Sequence, residues 1–216
     1  AEIGGGFGAK TTVWLEPVAL ALSRKAGRPV KMTMGRGEVF RATGPTSGSS
    51  MDIKIGATKD GRITAAQAEY RFQAGAFPGS PVQLGCMCGF TPYDIANADA
   101  VGYDVVVNRP KATAYRAPGA PIAAYGVEST LDILANELGM DPLDLRIKNA
   151  ARQGTRTAYG PTLGVIGCLE TMEAAKNHPH YRKRLGKNQG RGVASGYWVK
   201  VGGEASCVVR VLEADT

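Results

Sequence analysis

The sequence predicts an α+β fold, a mixed β-sheet flanked by helices. One observation is the Asp60-Gly61 pair between two alternating segments, a strong hairpin signal. Another is the apolar spacing of Val127, Leu131, Leu134 and Leu138, which marks a long helix. The third is a further strand at Tyr103 to Val107, ahead of the long helix, which gives a sheet with helices beside it.

Taken in order, Gly4-Gly5-Gly6-Phe7-Gly8-Ala9-Lys10 opens the chain as a backbone-exposing loop. Helical spacing of Trp14, Val18 and Leu22 predicts a helix over about 12–25, and Pro17, tolerated best in a first turn, moves its start towards Glu16. Gly27 ends it, and Arg28-Pro29 hands over to a short strand at Val30 to Met34. Met51 to Gly56 and Ile63 to Phe72 form the hairpin, and residues 74–92, rich in Gly, Pro and Cys, read as an irregular loop. Tyr103 to Val107 is a further strand.

The long helix covers about Ala123 to Leu138 and closes at Gly139. Asp141 as N-cap and Pro142 at the first helical position then start a second helix, to about Ala151. A third covers about Gly167 to Lys176, and Val193 to Trp198 and Ala205 to Leu212 read as strands.

Composition narrows the class. With 44% hydrophobic and 21% charged residues over 216 positions, the chain is a folded globular protein. Its 29 glycines are nearly twice the usual share of ~7%, which signals turns and close backbone approaches. Four cysteines (Cys86, Cys88, Cys168, Cys207) are too few for a disulfide scaffold, and Cys86-x-Cys88 misses zinc spacing, so buried thiols are expected. No apolar run approaches the ~18 residues of a membrane span and no signal peptide is visible, so a cytoplasmic location is expected. The net charge of +7 suits a phosphate-bearing cofactor, an acidic partner or nucleic acid.

Residues 4 to 9 match a dinucleotide fingerprint by spacing, but no strand precedes them and no acidic residue follows at the required distance. A phosphate-binding P-loop fails too, because Ala9 stands where the Gly before Lys10 is required. A glycine turn serving packing alone is the plain alternative. What remains is a loop whose amides can approach a bulky anionic ligand.

That loop resembles the GGGFG-x-K segment of the molybdenum hydroxylases, the family of xanthine dehydrogenase, aldehyde oxidase and the large subunit of aerobic carbon monoxide dehydrogenase. Ala114-Tyr115-Arg116-Ala117-Pro118-Gly119-Ala120-Pro121 is similar to the family's second loop, and Glu128 to Asn149 to the helix pair after it. Arg28-Pro29-Val30-Lys31 and Arg41-Ala42-Thr43-Gly44 fit in order, so the resemblance covers nearly the whole chain.

The resemblance implies a molybdopterin cofactor, as the plain pterin or the cytosine dinucleotide, and hydroxylation with water as the oxygen source. Iron–sulfur clusters and FAD would sit on partner subunits or domains. By similarity Gly5, Gly6, Phe7, Gly8, Tyr115 and Arg116 contact the cofactor, and Thr11 and Pro118 face the substrate pocket. No residue here would ligate the metal directly. Thr11 replaces the purine enzymes' Glu and Pro118 their aromatic residue, and no Cys stands in the second loop. By exclusion the resemblance implies an aldehyde or aromatic heterocycle as substrate.

The family's catalytic Glu lies in a later region that nothing here matches, so no catalytic residue is assigned. Residues 1–216 are then expected to be a fragment of the first molybdopterin-binding region, inactive alone. Residues 1–175 would form its main part and 176–216 a connecting segment with the start of the next β-region. Its partners would be the rest of the large subunit, an iron–sulfur subunit, a flavin subunit and a small-molecule substrate. Two readings from other classes stand beside this one. The chain could be a non-catalytic domain packing against the iron–sulfur subunit. Alternatively, the basic run of Arg182, Lys183, Arg184, Lys187 and Arg191 beside His178 and His180 could be a nucleic-acid patch, although a solvated connector explains it.

Overall fold

The computed structural model describes residues 5–199 and 206. Helix α1 spans Glu16–Ala26 and α2 Arg36–Ala42, followed by β1 (Ser49–Ala57), β2 (Ile63–Gly75), α3 (Val82–Gly89) and β3 (Asn97–Val106). Then come α4 (Ala120–Leu138), α5 (Pro142–Lys148), α6 (Cys168–Asn177) and the short α7 (Pro179–Arg182). The sheet is mixed, in the order β1-β2-β3: β1 pairs antiparallel with β2, and β2 parallel with β3.

The Asp60-Gly61 hairpin forms as its sequence requires, with the Gly61 amide donating to the Thr58 carbonyl at 2.8 Å. Alternation then places Ala66, Ala68, Tyr70 and Phe72 on one face of β2, all buried. Met51, Ile53 and Ile55 of β1 join them, and Val127, Leu131 and Ala135 of α4 close the core from above. Each large, fully buried side chain among them, such as Phe72, Val127 or Leu131, contributes roughly 1.5–3 kcal/mol by leaving water. The other face carries Asp52, Lys54, Gln67, Glu69 and Arg71, so the sheet is covered by α3 and α4 on one side and polar on the other.

Three sequence expectations are corrected. Residues 82–89 are helical: the glycines that argue against a helix let α3 lie directly on the sheet, where a Cβ on Gly85 would stand 3.1 Å from the Phe72 ring. Val30 to Met34 forms no strand among the described residues; bounded by Pro29 and Gly35, it runs beside a cleft instead. Residues 193–198 likewise join no ladder, because the Ser195 amide is taken by the Glu128 carboxylate at 2.9 Å. The strand expected over 205–212 lies, apart from Ser206, outside the described residues.

Two polar knots tie the helices to the sheet. Asn149 is fully buried; its Oδ1 accepts from the Ile63 amide at 2.9 Å and its Nδ2 donates to the Gly61 and Leu145 carbonyls at 2.8 Å. The Arg146 side chain is 0% exposed and its Nε meets Glu128 Oε2 at 2.7 Å, with Asp132 2.8 Å from a second nitrogen. Glu128, 6% exposed, also accepts from the Tyr93 hydroxyl at 2.5 Å. Burial, reinforced by that carboxylate, pushes the Tyr93 hydroxyl far above its ordinary range and keeps it a donor.

The hairpin turn gives a pH prediction. Hydrogen bonds from Lys148 and Thr58 hold the exposed Asp60 carboxyl down to about 2, against an ordinary 3.8. A depressed carboxyl stabilises the fold fully above its unfolded value and loses that contribution as pH falls through its folded value. Denaturation of Lys148→Met and the parent should therefore differ above about pH 4 and converge as the pH approaches 2.

Candidate cofactor-binding site

Three segments far apart in sequence meet beyond the end of β2 and the start of α4. The Ala112 amide donates to the Ala74 carbonyl at 2.8 Å, which hangs the 112–119 loop from the end of β2. Thr113 then holds the turn after α2: its amide donates to the Pro45 carbonyl at 3.2 Å and its hydroxyl to the Gly44 carbonyl at 2.8 Å. This contact gives the Arg41-Ala42-Thr43-Gly44 segment its role.

The glycine loop docks on the same strip. The Arg116 amide donates to the Phe7 carbonyl at 2.6 Å, and the Phe7 and Tyr115 rings lie 6.2 Å apart. Gly8, at φ 98°, sits so close to Ala114 that an added Cβ would stand 3.0 Å from the Ala114 methyl. Phe7 and Ala117 both adopt φ 54°, a left-handed conformation that costs a residue with a side chain about 1–3 kcal/mol and clusters at functional sites. Behind them Gly119, at φ 84°, rests on the start of α3, with its missing Cβ aimed at the Pro81 carbonyl and the Gly85 amide.

Between the glycine loop, the start of α1 and α2 lies a cleft of about 1050 Å³. Gly5, Gly6, Phe7 and Tyr115, four of the residues that the resemblance assigns to the cofactor, line it. Phe7 is 62% and Tyr115 52% exposed. Arg116 enters the arrangement through its amide, and its exposed side chain does not line the cleft; neither does the half-buried Pro118. Thr11 lies in the short turn Ala9–Thr11, and its side chain lies outside the described residues.

Trp14, Met34, Arg36 and Phe40, which no motif in the sequence marks, also line the cleft. Their only signal was membership of segments flanking motifs. Glu16 also lines the cleft, but its own amide and that of Trp14 hold its carboxyl below the usual range. The Arg36 guanidinium lies 5.6 Å from the centre of the Phe40 ring.

The other groups lie elsewhere. Cys86 and Cys88 sit on α3 and do not line this cleft, and burial pushes both thiols up, away from the reactive thiolate. Cys168 lines a second cavity of about 580 Å³, between α5, α6 and residues 192–197, with Leu143, Leu163, Ile166, Met172 and Tyr197. His178 spends its Nδ1 on the His180 amide, and no group of three or more His, Cys, Asp or Glu is placed to hold a metal among the described residues. Among these residues no helix is long and apolar enough to cross a membrane.

The first cleft fits a large planar group bearing anionic substituents. It offers strained loop backbone, exposed aromatic rings and the cations Lys10 and Arg36.

Comparison with known proteins identifies the family. Residues 1–150 match the family model of the molybdopterin cofactor-binding domain. The nicotinate dehydrogenase large molybdopterin subunit of Eubacterium barkeri is 34% identical over 82% of this chain and 42% of its own length. The xanthine dehydrogenase molybdenum-binding subunit of Escherichia coli O157:H7 is 31% identical over 87% of this chain and 26% of its own length. Among solved structures, the aldehyde oxidoreductase from Desulfovibrio gigas superposes with a TM-score of 0.75 at 30% identity, over 83% of this chain and 20% of that one. The CO dehydrogenase from Oligotropha carboxidovorans gives 0.70 at 28% identity, over 84% and 24%. The chain thus spans between a fifth and somewhat over two fifths of the length of these relatives. With its two loops clasped beside an anion-compatible cleft, the chain belongs to the molybdopterin cofactor-binding domain family of the molybdenum hydroxylase large subunits.

Proposed function

We propose that this chain is the cofactor-binding part of an oxidoreductase that hydroxylates an aldehyde or aromatic heterocycle with oxygen from water. The observation that carries the reading is the clasp between the two loops, Arg116 amide to Phe7 carbonyl at 2.6 Å. When bound, the molybdopterin group supplies the redox centre for a two-electron oxidation. The chain's own residues hold and orient it. Gly5 and Gly6 bring backbone to the cleft, Gly8 lets the loop lie against Ala114, Phe7 and Tyr115 present flat apolar surface, and the Arg116 amide fixes Phe7 in its strained conformation. Thr11 and Pro118 are assigned to the substrate side by similarity.

The catalytic Glu is assigned to polypeptide beyond this chain, so residues 1–216 alone would be inactive. The main body would be residues 1–175, and 176–216 would lead to the next β-region. The pterin would be carried plain or as its cytosine dinucleotide, with iron–sulfur and flavin partners taking the electrons in the cytoplasm. Relatives described as nicotinate dehydrogenase and aldehyde oxidoreductase support this substrate range. Thr11 in place of Glu argues against purines, although the relatives include a xanthine dehydrogenase subunit.

The test is metal and pterin analysis of the full-length protein purified with its partners from a molybdate-fed host. Molybdenum with fluorescent pterin is expected in the parent. The double variant Phe7→Asp/Arg116→Pro, which removes the ring and the donating amide, should lower both by roughly tenfold or more. Undiminished content in a folded variant, or a well-folded parent without molybdenum, would overturn the proposal.

A further inference from the structure

The stretch from α1 to residue 34 carries two structural signals that this chain by itself leaves unsatisfied. Along α1 the apolar side chains do not form one stripe. By helical spacing Val18 and Leu22 stand one turn apart on one face, and Leu20 lies on the opposite face. They are 47%, 43% and 71% exposed, and α1 buries no side chain. A helix apolar on opposing faces belongs inside a larger body or a membrane, and its 11 residues are far short of the ~20 that a span needs.

Residues 30–34 pose the complementary problem. Val30, Met32 and Met34 alternate with Lys31 and Thr33, the period of a strand. Among the described residues, however, no backbone amide or carbonyl of this stretch takes part in a hydrogen bond. Main-chain groups of an ordered segment need partners, and an unpaired strand edge is a template for one. A tight turn joins the two pieces: Gly27, at φ 61°, closes α1, and the Ser23 hydroxyl donates to the Arg28 carbonyl at 2.7 Å. Helix, link and strand-patterned segment thus make one αβ unit, which is stable only with its helix on a sheet of several strands. The sheet β1-β2-β3 does not serve, because α3 and α4 cover its apolar face and residues 30–34 pair with none of its strands.

We propose that residues 30–34 are one strand of a second sheet, completed by large-subunit polypeptide outside residues 1–216, and that α1 packs on that sheet. This rests on the reading above only in taking the chain as one part of a longer large subunit. More than half of each relative described above lies outside the span matched by this chain, which leaves ample polypeptide for the missing strands. The same polypeptide is the fitting occupant, because an unfinished sheet and a helix apolar on two faces describe a domain core. Separately folded subunits meet instead over surfaces about as polar as the rest of their exterior.

Hydrogen exchange on the full-length protein, purified with its partners from molybdate-fed and molybdate-starved hosts, reads the strand. The amides of residues 31–34 should exchange at least about a hundredfold more slowly than in an unstructured chain, in both preparations. Fast exchange in both overturns the proposal. Met32, Thr33 and Met34 line the cleft, so slow exchange confined to the molybdenum-loaded sample would credit the cofactor and overturn it too. A photo-reactive benzoylphenylalanine in place of Leu20 identifies the occupant, and unchanged exchange at residues 31–34 certifies that the label leaves the unit folded. Mass spectrometry should find the label joined to a peptide of the same polypeptide outside residues 1–216, with the chain's mass on a denaturing gel unchanged. A cross-link to another subunit, a doubled mass from a second copy, or no cross-link in the folded protein overturns the proposal. Absence of molybdenum and pterin from the molybdate-fed sample would sink the hydroxylase reading, while the exchange and cross-link results still decide the sheet.

Discussion

Arg146→Met is expected to destabilise the chain by about 3–5 kcal/mol, among the largest single-residue effects in this fold. Arg146 is completely enclosed, bonded to the Glu128 carboxylate and backbone carbonyl, to Asp132 and, at 3.0 Å, to the Pro142 carbonyl. Methionine fills much of the volume but leaves the buried Glu128 carboxylate without its cation, with the Tyr93 hydroxyl and the Ser195 amide as its remaining partners among the described residues. The thermal midpoint should fall by roughly 6–20 °C, at the 2–4 °C per kcal/mol usual for a chain of this size. A double variant, Arg146→Met with Glu128→Met, should recover much of the loss, because it removes the stranded charge together with its partner. Equal damage in the single and double variants would show that packing, and not charge, sets the cost.

Gly119→Ala should be the next most damaging change. The new methyl would run into the Pro81 carbonyl oxygen and stand 2.9 Å from the Gly85 amide nitrogen, both backbone atoms that cannot swing aside. The residue would also have to hold φ 84°. Together these should cost about 2–4 kcal/mol. The more telling effect is local. Gly119 is the point where the 112–119 loop leaves for α4, so displacing it moves the Arg116 amide from the Phe7 carbonyl. Hydrogen exchange at the Arg116 amide should accelerate in Gly119→Ala by at least about tenfold, with exchange at core amides such as Phe72 and Leu131 much less affected. Unchanged exchange at Arg116 would show that the clasp does not depend on this pivot.

How far the sequence could be read follows from where the information is local. The hairpin, the long helix and its glycine stop, and the Asp141-Pro142 helix start each depend on a few adjacent residues, and each is found where expected. Asp141 receives the Leu143 and Asp144 amides. Helix α3 was hidden because its glycines serve Tyr70 and Phe72, partners more than ten residues away. Val30 to Met34 shows the reverse error, since alternation specifies an extended backbone but not a neighbour to pair with. In the site, the motif residues Phe7 and Tyr115 were legible, whereas Trp14, Arg36 and Phe40 gain meaning only when α2 turns back through Gly44 onto Thr113. The amide role of Arg116 has no signature in the sequence, because every non-proline residue carries that donor.

One feature of the N-terminal segment bears on how the molecule is assembled. Neither α1 nor α2 contributes a buried side chain. The bonds that join this segment to the rest include those from Arg116 to Phe7 and from Thr113 to Gly44 and Pro45. Lifting residues 5–46 away therefore exposes little apolar surface, whereas separating α4 from the sheet exposes the whole core. Local opening energies accordingly set a readily opened N-terminal segment, about a fifth of the chain, apart from a persistent body. The cleft is lined by this segment together with Tyr115, so its walls belong to the part that opens most readily, while the sheet and α4 stay folded.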